Sequence, residues 1–296
     1  MEVTGIPDPG GPAKTIRVRV APGVTLHAER WPGQPWRTPF LLLHGLASNL
    51  RLWDGVAASL SARGHPVVAV DQRGHGQSDT PDEGYDLPTA VADALAVLEA
   101  LHLDRPVVAG QSWGGNVVLE LASCHPSAVR GLAGIDGGLI ELAENFPTWD
   151  ACLEALAPPL LAGLPLSVIR HRIQSMQVGW PPAALAAALA NFRVLPDATV
   201  EPRLRRDRHV QLLRSLWDHR PSARLSRLTV PAVFLLVDSG DEIRTAPKRR
   251  AAERVPVAAP GARVEWIAPA HHDVHSQQPG RVAHLLLSAV DDGFFP

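Results

Sequence analysis

Two short runs near the start of the chain alternate apolar and polar positions, Thr15 to Val20 and Val24 to Arg30, with Ala21-Pro22-Gly23 between them. A period of two broken by Pro-Gly predicts an antiparallel hairpin. Further along the rhythm changes. Apolar runs at Pro39–Leu43, Pro66–Val70, Pro106–Ala109 and Val129–Ile135 alternate with helical windows from about Leu52 to Arg63, Pro88 to Leu101 and Gly114 to Ser123. Gly64 stands just beyond the first of these helices, where a left-handed residue ends a helix. Strands with no polar face, each followed by a helix, predict a mostly parallel sheet covered by helices on both faces.

Between about Gly137 and Leu228 this rhythm lapses. The stretch holds Trp149, Trp180 and Trp217, Pro-Pro pairs at 158–159 and 181–182, helical windows such as residues 183–189, and no clear strand. The α/β pattern returns with Pro231 to Val237, a helix near Ala246 to Val255, a strand from Arg263 to Ala268 and a last helix from about Arg281 to Val290. The expected architecture is an α/β core made of residues 1–136 and 229–296. Residues 137–228 are inserted after the sixth core strand, as a helical segment long for a loop and short for an independent domain.

Composition narrows the class. With 296 residues, 46% of them hydrophobic and 20% charged, the chain can bury a sizeable core in one large domain. A formal net charge of −2 supplies no bulk field for nucleic acid or an acidic membrane surface, so neither is an expected partner. No uncharged apolar stretch reaches the ~18 residues of a spanning helix. The opening MEVTGIPDPGGPAK has neither a basic n-region nor an apolar h-region, so no secretory signal is expected. Cys124 and Cys152 are too few for a disulfide framework and read as reduced, buried thiols, which fits a cytoplasmic protein.

Chemistry enters at "GQSWGG", residues 110–115. Here a serine sits between glycines, after an apolar strand and before a helix. In that setting G-x-S-x-G is a nucleophile elbow. The glycines permit a tight turn, and the helix N-terminus favours developing negative charge. Ser112 needs a base. Catalytic groups gather at the carboxyl ends of strands in such sheets, and "HHDVHSQQP" after the last strand offers His271, His272 and His275. An acid between serine and histidine in chain order could come from "DSGDEI", with Asp238, Asp241 and Glu242. "LLLHGLAS", after the third strand, would carry an oxyanion hole, with the backbone N–H groups of Leu46 and Trp113 as donors.

With His44-Gly45, "DQRGHGQS" at 71–78 and "DEI" at 241–243 added to these motifs, the chain resembles the α/β-hydrolase fold family, in its serine-nucleophile, esterase-like branch with a helical cap. The matching pieces span nearly the whole chain apart from the insertion, and only together are they specific. The resemblance implies His272 as the base, through the pattern H-x-x-H-x-x-x-P ending at Pro279, and makes His275 structural. It puts Asp241 at the acid position. Asp136, in "GIDGG" at the end of the sixth strand, is the alternative, because some branches keep their acid there. Relatives with an aspartate nucleophile differ at the position that Ser112 fills.

The function implied is hydrolysis of a carboxylic ester or related acyl compound through an acyl-enzyme on Ser112, with no metal or organic cofactor. A lactonase, a C–C bond hydrolase or a perhydrolase would use the same triad. A ligand-binding receptor on the same scaffold, with little turnover, is the reading from another class. His44, Trp149 and Trp180 are candidate substrate contacts. His271, His272, Asp273 and His275 could suggest a metal cluster, but adjacent side chains on one short loop rarely converge on one ion. Asp71 and Arg73 read as braces for neighbouring loops, and the basic run 203–214 as a solvated helix face.

Overall fold

The hairpin forms as the alternation requires. In the computed structural model, which describes residues 12–296, β1 (Lys14–Ala21) pairs antiparallel with β2 (Val24–Trp31). The reading of the extreme N-terminus as Pro- and Gly-rich and without a signal concerns residues 1–11 and lies largely outside the described residues. Next come β3 (Phe40–Leu43), α1 (Asp54–Ala62), β4 (Val67–Val70), α2 (Leu87–Ala100), β5 (Val107–Gln111), α3 (Trp113–Cys124) and β6 (Gly131–Ile135). The inserted stretch contains α4 (Leu142–Asn145), α5 (Trp149–Leu156), α6 (Leu166–Met176), α7 (Pro182–Leu189), β7 (Phe192–Val194), β8 (Val200–Pro202), α8 (Arg206–Asp218) and α9 (Pro221–Leu225). The chain closes with β9 (Ala232–Val237), α10 (Glu242–Ala258), β10 (Arg263–Ile267), α11 (Val274–Gln277) and α12 (Pro279–Asp291).

Eight strands make one sheet in the order β1-β2-β4-β3-β5-β6-β9-β10. Only β2 runs against its neighbours; every pair from β4 to β10 is parallel. Alternation along each strand feeds two cores. Leu41 and Leu43 join Val97 of α2 and Val117 and Leu121 of α3 on one face. Phe40 and Leu42 join Val56 and Leu60 of α1 and Val282 and Leu286 of α12 on the other. Each such side chain, fully buried, contributes roughly 1.5–3 kcal/mol, so a β3 with no polar residue is stable only where both faces are covered.

Parallel strands leave their carboxyl-end loops crowded together, and buried polar groups order them. Asp71, after β4, accepts hydrogen bonds from His27 Nδ1 and from the Leu50 and Gln77 N–H groups, all at 2.8 Å. Arg73 forks onto Asp93 of α2 at 2.8 and 2.9 Å, both side chains nearly buried. These are the braces that the sequence suggested.

The inserted stretch has two characters. Ile169 and Ile173 of α6 and Val200 of β8 form a small core of their own. Leu212, Leu213 and Leu216 of α8 instead pack into the main core, while Arg205, Arg208 and Arg214 on the same run pair with Asp207, Asp82 and Asp218. Asn49, which caps the 3₁₀ turn leading into α1, donates from Nδ2 to the Ala187 carbonyl at 2.8 Å and to Asn191 Oδ1 at 2.5 Å.

Three expectations are corrected. The inserted stretch does contain strands: β7 and β8 form a hairpin, each too short to show a period. α10 runs well beyond Ala246–Val255, because Asp241 caps it from outside and Pro247 and Pro256 lie within it. Cys124 is exposed, and only Cys152 is buried. Among the described residues no helix is long and apolar enough to cross a membrane.

Candidate active site

Ser112 sits between the end of β5 and the first residue of α3 with φ 53° and ψ −117°. A positive φ on a non-glycine residue is strained, and close packing holds it. A Cβ on Gly110 would lie 2.0 Å from the Gly114 carbonyl oxygen, and one on Gly114 would lie 2.4 Å from that of Leu43. The Ser112 N–H donates to the Ile135 carbonyl at 3.1 Å, locking the turn to the end of β6. The Gly115 and Asn116 N–H groups of α3 donate to the Ser112 carbonyl at 2.9 and 3.3 Å, while the Trp113 N–H, first in the helix, lies too early in it for an intrahelical partner.

The loop after β3 closes against this elbow. A Cβ on Gly45 would meet Gln111 Oε1 at 2.3 Å and Ser112 Cβ at 3.1 Å, so the segment leading to Leu46 lies directly beside the serine. Four side chains fix it. His44 Nδ1 donates to the Gly45 carbonyl at 2.8 Å and Nε2 accepts from the Gln72 N–H at 3.0 Å. Gln72 Nε2 donates to the His44 carbonyl at 2.6 Å while its Oε1 accepts from the Trp113 indole at 3.1 Å. His75 Nε2 accepts from the Ala47 N–H at 3.2 Å. Both histidines are buried and edge-packed at 4.8 Å. Burial drives both toward the neutral form, His75 to a pKa of about 3, so each keeps one acceptor nitrogen. His44, a candidate substrate contact in the sequence, is thus fully buried with both ring nitrogens engaged in bracing the loop.

The three histidine contenders separate cleanly. His275 is fully buried and packs its ring 4.5 Å from that of Trp53; burial lowers its pKa to about 4. His271 Nδ1 accepts from the Asp273 N–H at 3.1 Å. His272 Nδ1 donates to Asp136 Oδ2 at 2.6 Å, leaving Nε2 as the nitrogen that can take a proton. Burial opposes its protonation, but the Asp136 hydrogen bond and charge outweigh that and raise its pKa above the ordinary histidine value. The His272 carbonyl accepts from Gln111 Nε2 at 3.2 Å, which ties this loop to the residue before Ser112. Among the described residues the Ser112 hydroxyl itself has no side-chain hydrogen bond. Such bonds are often loose before substrate arrives.

The acid against His272 is Asp136, and this overturns the preference for Asp241. The Asp136 side chain is 0% exposed; its Oδ1 accepts from the Val237 N–H at 3.0 Å, and Oδ2 takes both His272 and Lys248 Nζ, the latter at 2.7 Å. Burial pushes its carboxyl upward, but these donors hold it below the usual carboxylate range. Asp241 is 46% exposed in its side chain, caps α10 through the Ile243 N–H at 3.0 Å and pairs with Arg244 at 3.3 Å. Asp238 and Glu242 are both taken by Arg249. The physical reason is local. β9 ends at Val237, and Asp241 is then spent on starting the helix, whereas Asp136 leaves β6 directly with φ 43° and turns inward.

A cleft of about 630 Å³ opens beside the pair, lined by Asp136, His272 and Lys248 together with apolar Leu139, Ile140 and Phe146. Trp149 does not reach it: its ring packs 6.3 Å from Trp217 with Arg214 over its face at 5.2 Å. Trp180 stands at the margin, edge-on to His271 at 4.9 Å. Sequence reasoning missed Gln72, His75 and Lys248. The first two lay inside a motif read as structural, and only Lys248 carried a signal of its own, as one of two lysines in an arginine-rich chain.

Strand order, elbow and histidine loop together define an α/β-hydrolase-fold protein. A family model described as the alpha/beta hydrolase fold matches residues 38–166, which include Ser112 and Asp136. An AB hydrolase superfamily protein of Bacillus subtilis, YisY, is 38% identical over 90 residues, 30% of this chain and 34% of that protein. An uncharacterized protein of Mycobacterium tuberculosis, Rv2715, is 30% identical over 169 residues, 55% of this chain and 48% of its own length. The chain thus spans between a third and a half of these curated relatives. The solved structure of an E-2-(acetamidomethylene)succinate hydrolase superposes with a TM-score of 0.78 at 21% identity, over 94% of this chain and 99% of that one.

Proposed function

We propose that the protein is a serine hydrolase acting on a carboxylic ester or a related acyl compound. The observation that carries this reading is the 2.6 Å hydrogen bond from His272 to a buried Asp136, on a loop tethered beside the strained Ser112. Ser112 attacks the acyl carbon, and His272 Nε2 takes the hydroxyl proton and delivers it to the leaving group. Asp136 fixes the Nδ1–H tautomer and stabilises the imidazolium. The Leu46 and Trp113 N–H groups hold the oxyanion, each set by the Gln72 network. Water, activated by His272, then releases the acid and restores Ser112. Residues 137–228 act as a cap, and the apolar cleft wall takes the acyl or alcohol part of the substrate.

Relatives with other names share parts of this chain, among them a non-heme chloroperoxidase of Streptomyces lividans at 34% identity over 113 residues, 38% of this chain and 41% of that enzyme. A substrate series therefore belongs in the test. Wild type and Ser112→Ala are compared on p-nitrophenyl esters from acetate to long acyl chains, with fluorophosphonate labelling alongside. Turnover and labelling by wild type alone, with the same melting temperature in both proteins, is the expected outcome. Labelling that persists in the variant removes Ser112 as the nucleophile. Full turnover by the variant ends the mechanism.

A further inference from the structure

Asp136 is held by more than a His–Asp pair requires. Its Oδ2 accepts from His272 at 2.6 Å and from the Lys248 ammonium at 2.7 Å, and the same ammonium donates to the Val237 carbonyl at 3.1 Å. Lys248 reaches in from the second turn of α10, lines the cleft and keeps 24% of its side chain exposed. Its chemistry is unusual for this chain. Of the 28 Lys and Arg residues only Lys14 and Lys248 are lysines. Its compact ammonium sits on one carboxylate oxygen and one backbone carbonyl at once.

Resting on the serine-hydrolase reading above, we propose that Lys248 is a positioning residue for the Ser112–His272–Asp136 group. By sharing Asp136 Oδ2 it locks the carboxylate in place and offsets part of its charge, so that His272 is a neutral, proton-accepting base at lower pH than Asp136 alone would allow. The groups around His272 fit this account. Asp136, from the end of β6, and Asp273, on its own loop, favour the imidazolium, and Lys248 from α10 opposes it. His271 and His275 lie close to it in sequence; burial first of all lowers both, Asp273 opposes that, and His272 itself, with Arg244 from α10 for the one and His44 from the loop after β3 for the other, adds to it. Lys248 is the one cation among these in hydrogen-bond contact with the acid.

Two variants separate charge from contact. Lys248→Gln keeps a donor and removes the charge, and Lys248→Arg keeps the charge. The His272 ring is titrated by ¹⁵N NMR in each, and Ser112 labelling by a fluorophosphonate is followed against pH. Lys248→Gln should move the ring titration and the acid limb of labelling upward together by about one pH unit, with Lys248→Arg staying nearer to wild type. A structural defect alone would lower the extent of labelling without moving its midpoint. In the wild-type protein, ¹⁵Nζ-lysine labelling gives two ammonium signals, and that of Lys248 should shift where His272 titrates, whatever the folding of the variants. An unmoved or lowered midpoint in Lys248→Gln, or a Lys248 signal indifferent to the His272 titration, overturns the proposal. If Ser112 is never labelled but the ring titrations behave as stated, the serine-hydrolase reading fails and the Lys248–His272 coupling stands.

Discussion

Two aspartates with similar sequence credentials should respond in opposite ways to loss of charge. Asp136→Asn removes the partner that fixes the His272 tautomer and should lower the rate of acylation about 10³–10⁴-fold. Asp241→Asn keeps a capping oxygen for the Ile243 N–H and removes only an exposed ion pair with Arg244; it should leave acylation intact and cost at most about 1 kcal/mol. Burst kinetics and melting curves on the two variants decide the matter, and a normal burst in Asp136→Asn would strip that residue of its role. The place of Ser112 at a strand-to-helix turn was legible because its glycines and flanking elements mark that turn, and His272 stood out from His271 and His275 only through the resemblance to the family pattern. The acid was not legible. Asp136 and Asp241 both lie between serine and histidine in chain order and both follow a strand, so what separates them is the direction in which each side chain leaves the backbone. That direction depends on a φ of 43° at Asp136 and on a helix start at Asp241.

At the level of elements, the contact between β5 and α3 tolerates no added atom. Gly110→Ala would drive a methyl group into the Gly114 carbonyl at 2.0 Å, with backbone on both sides and no flexible side chain to yield. The variant should lose about 3 kcal/mol, the upper end of the usual overpacking cost, or fail to accumulate as folded protein, and any folded fraction should label poorly at Ser112. Thermal melts with parallel labelling test this; a variant as stable and reactive as wild type would mean the elbow is not set by this packing. The core strands were legible because short apolar runs, alternating with helical windows, fit strands covered on both faces. The β7–β8 hairpin was invisible because three residues per strand show no period, and its Arg193–Glu201 cross-strand pair reads as surface charge. α10 was legible only in its middle, because Pro247 and Pro256 look like helix breakers and are accommodated inside it.

Across the whole molecule, buried histidines link stability to pH. His75 and His275 are neutral in the folded chain with pKa values near 3 and 4, and His209 lies near 4, all lowered first by burial. Unfolding returns each to the ordinary value of 6.5. The unfolded state therefore binds more protons below that pH, and the contribution of these groups is complete above about pH 6.5 and is lost as pH falls toward 4. For the fully buried His75 and His275 the slope approaches about 1.4 kcal/mol per pH unit each. His272, whose pKa is raised, works in the other direction but is a single group. Melting temperature should fall steadily from pH 7 to pH 5, and a flat profile there would contradict the buried, neutral assignments. None of this was legible in a count of thirteen histidines, because it depends on which rings the fold shuts away from water. The Asn49 anchor has a mechanical consequence at the same scale. Asn49 follows Leu46 by three residues and holds α7 through the Ala187 carbonyl and Asn191. Any swing of α7 away from the core must either break those two bonds or pull on the segment that runs from Gly45, packed against Ser112, to Asn49, so that one side chain couples α7 to the backbone beside the serine.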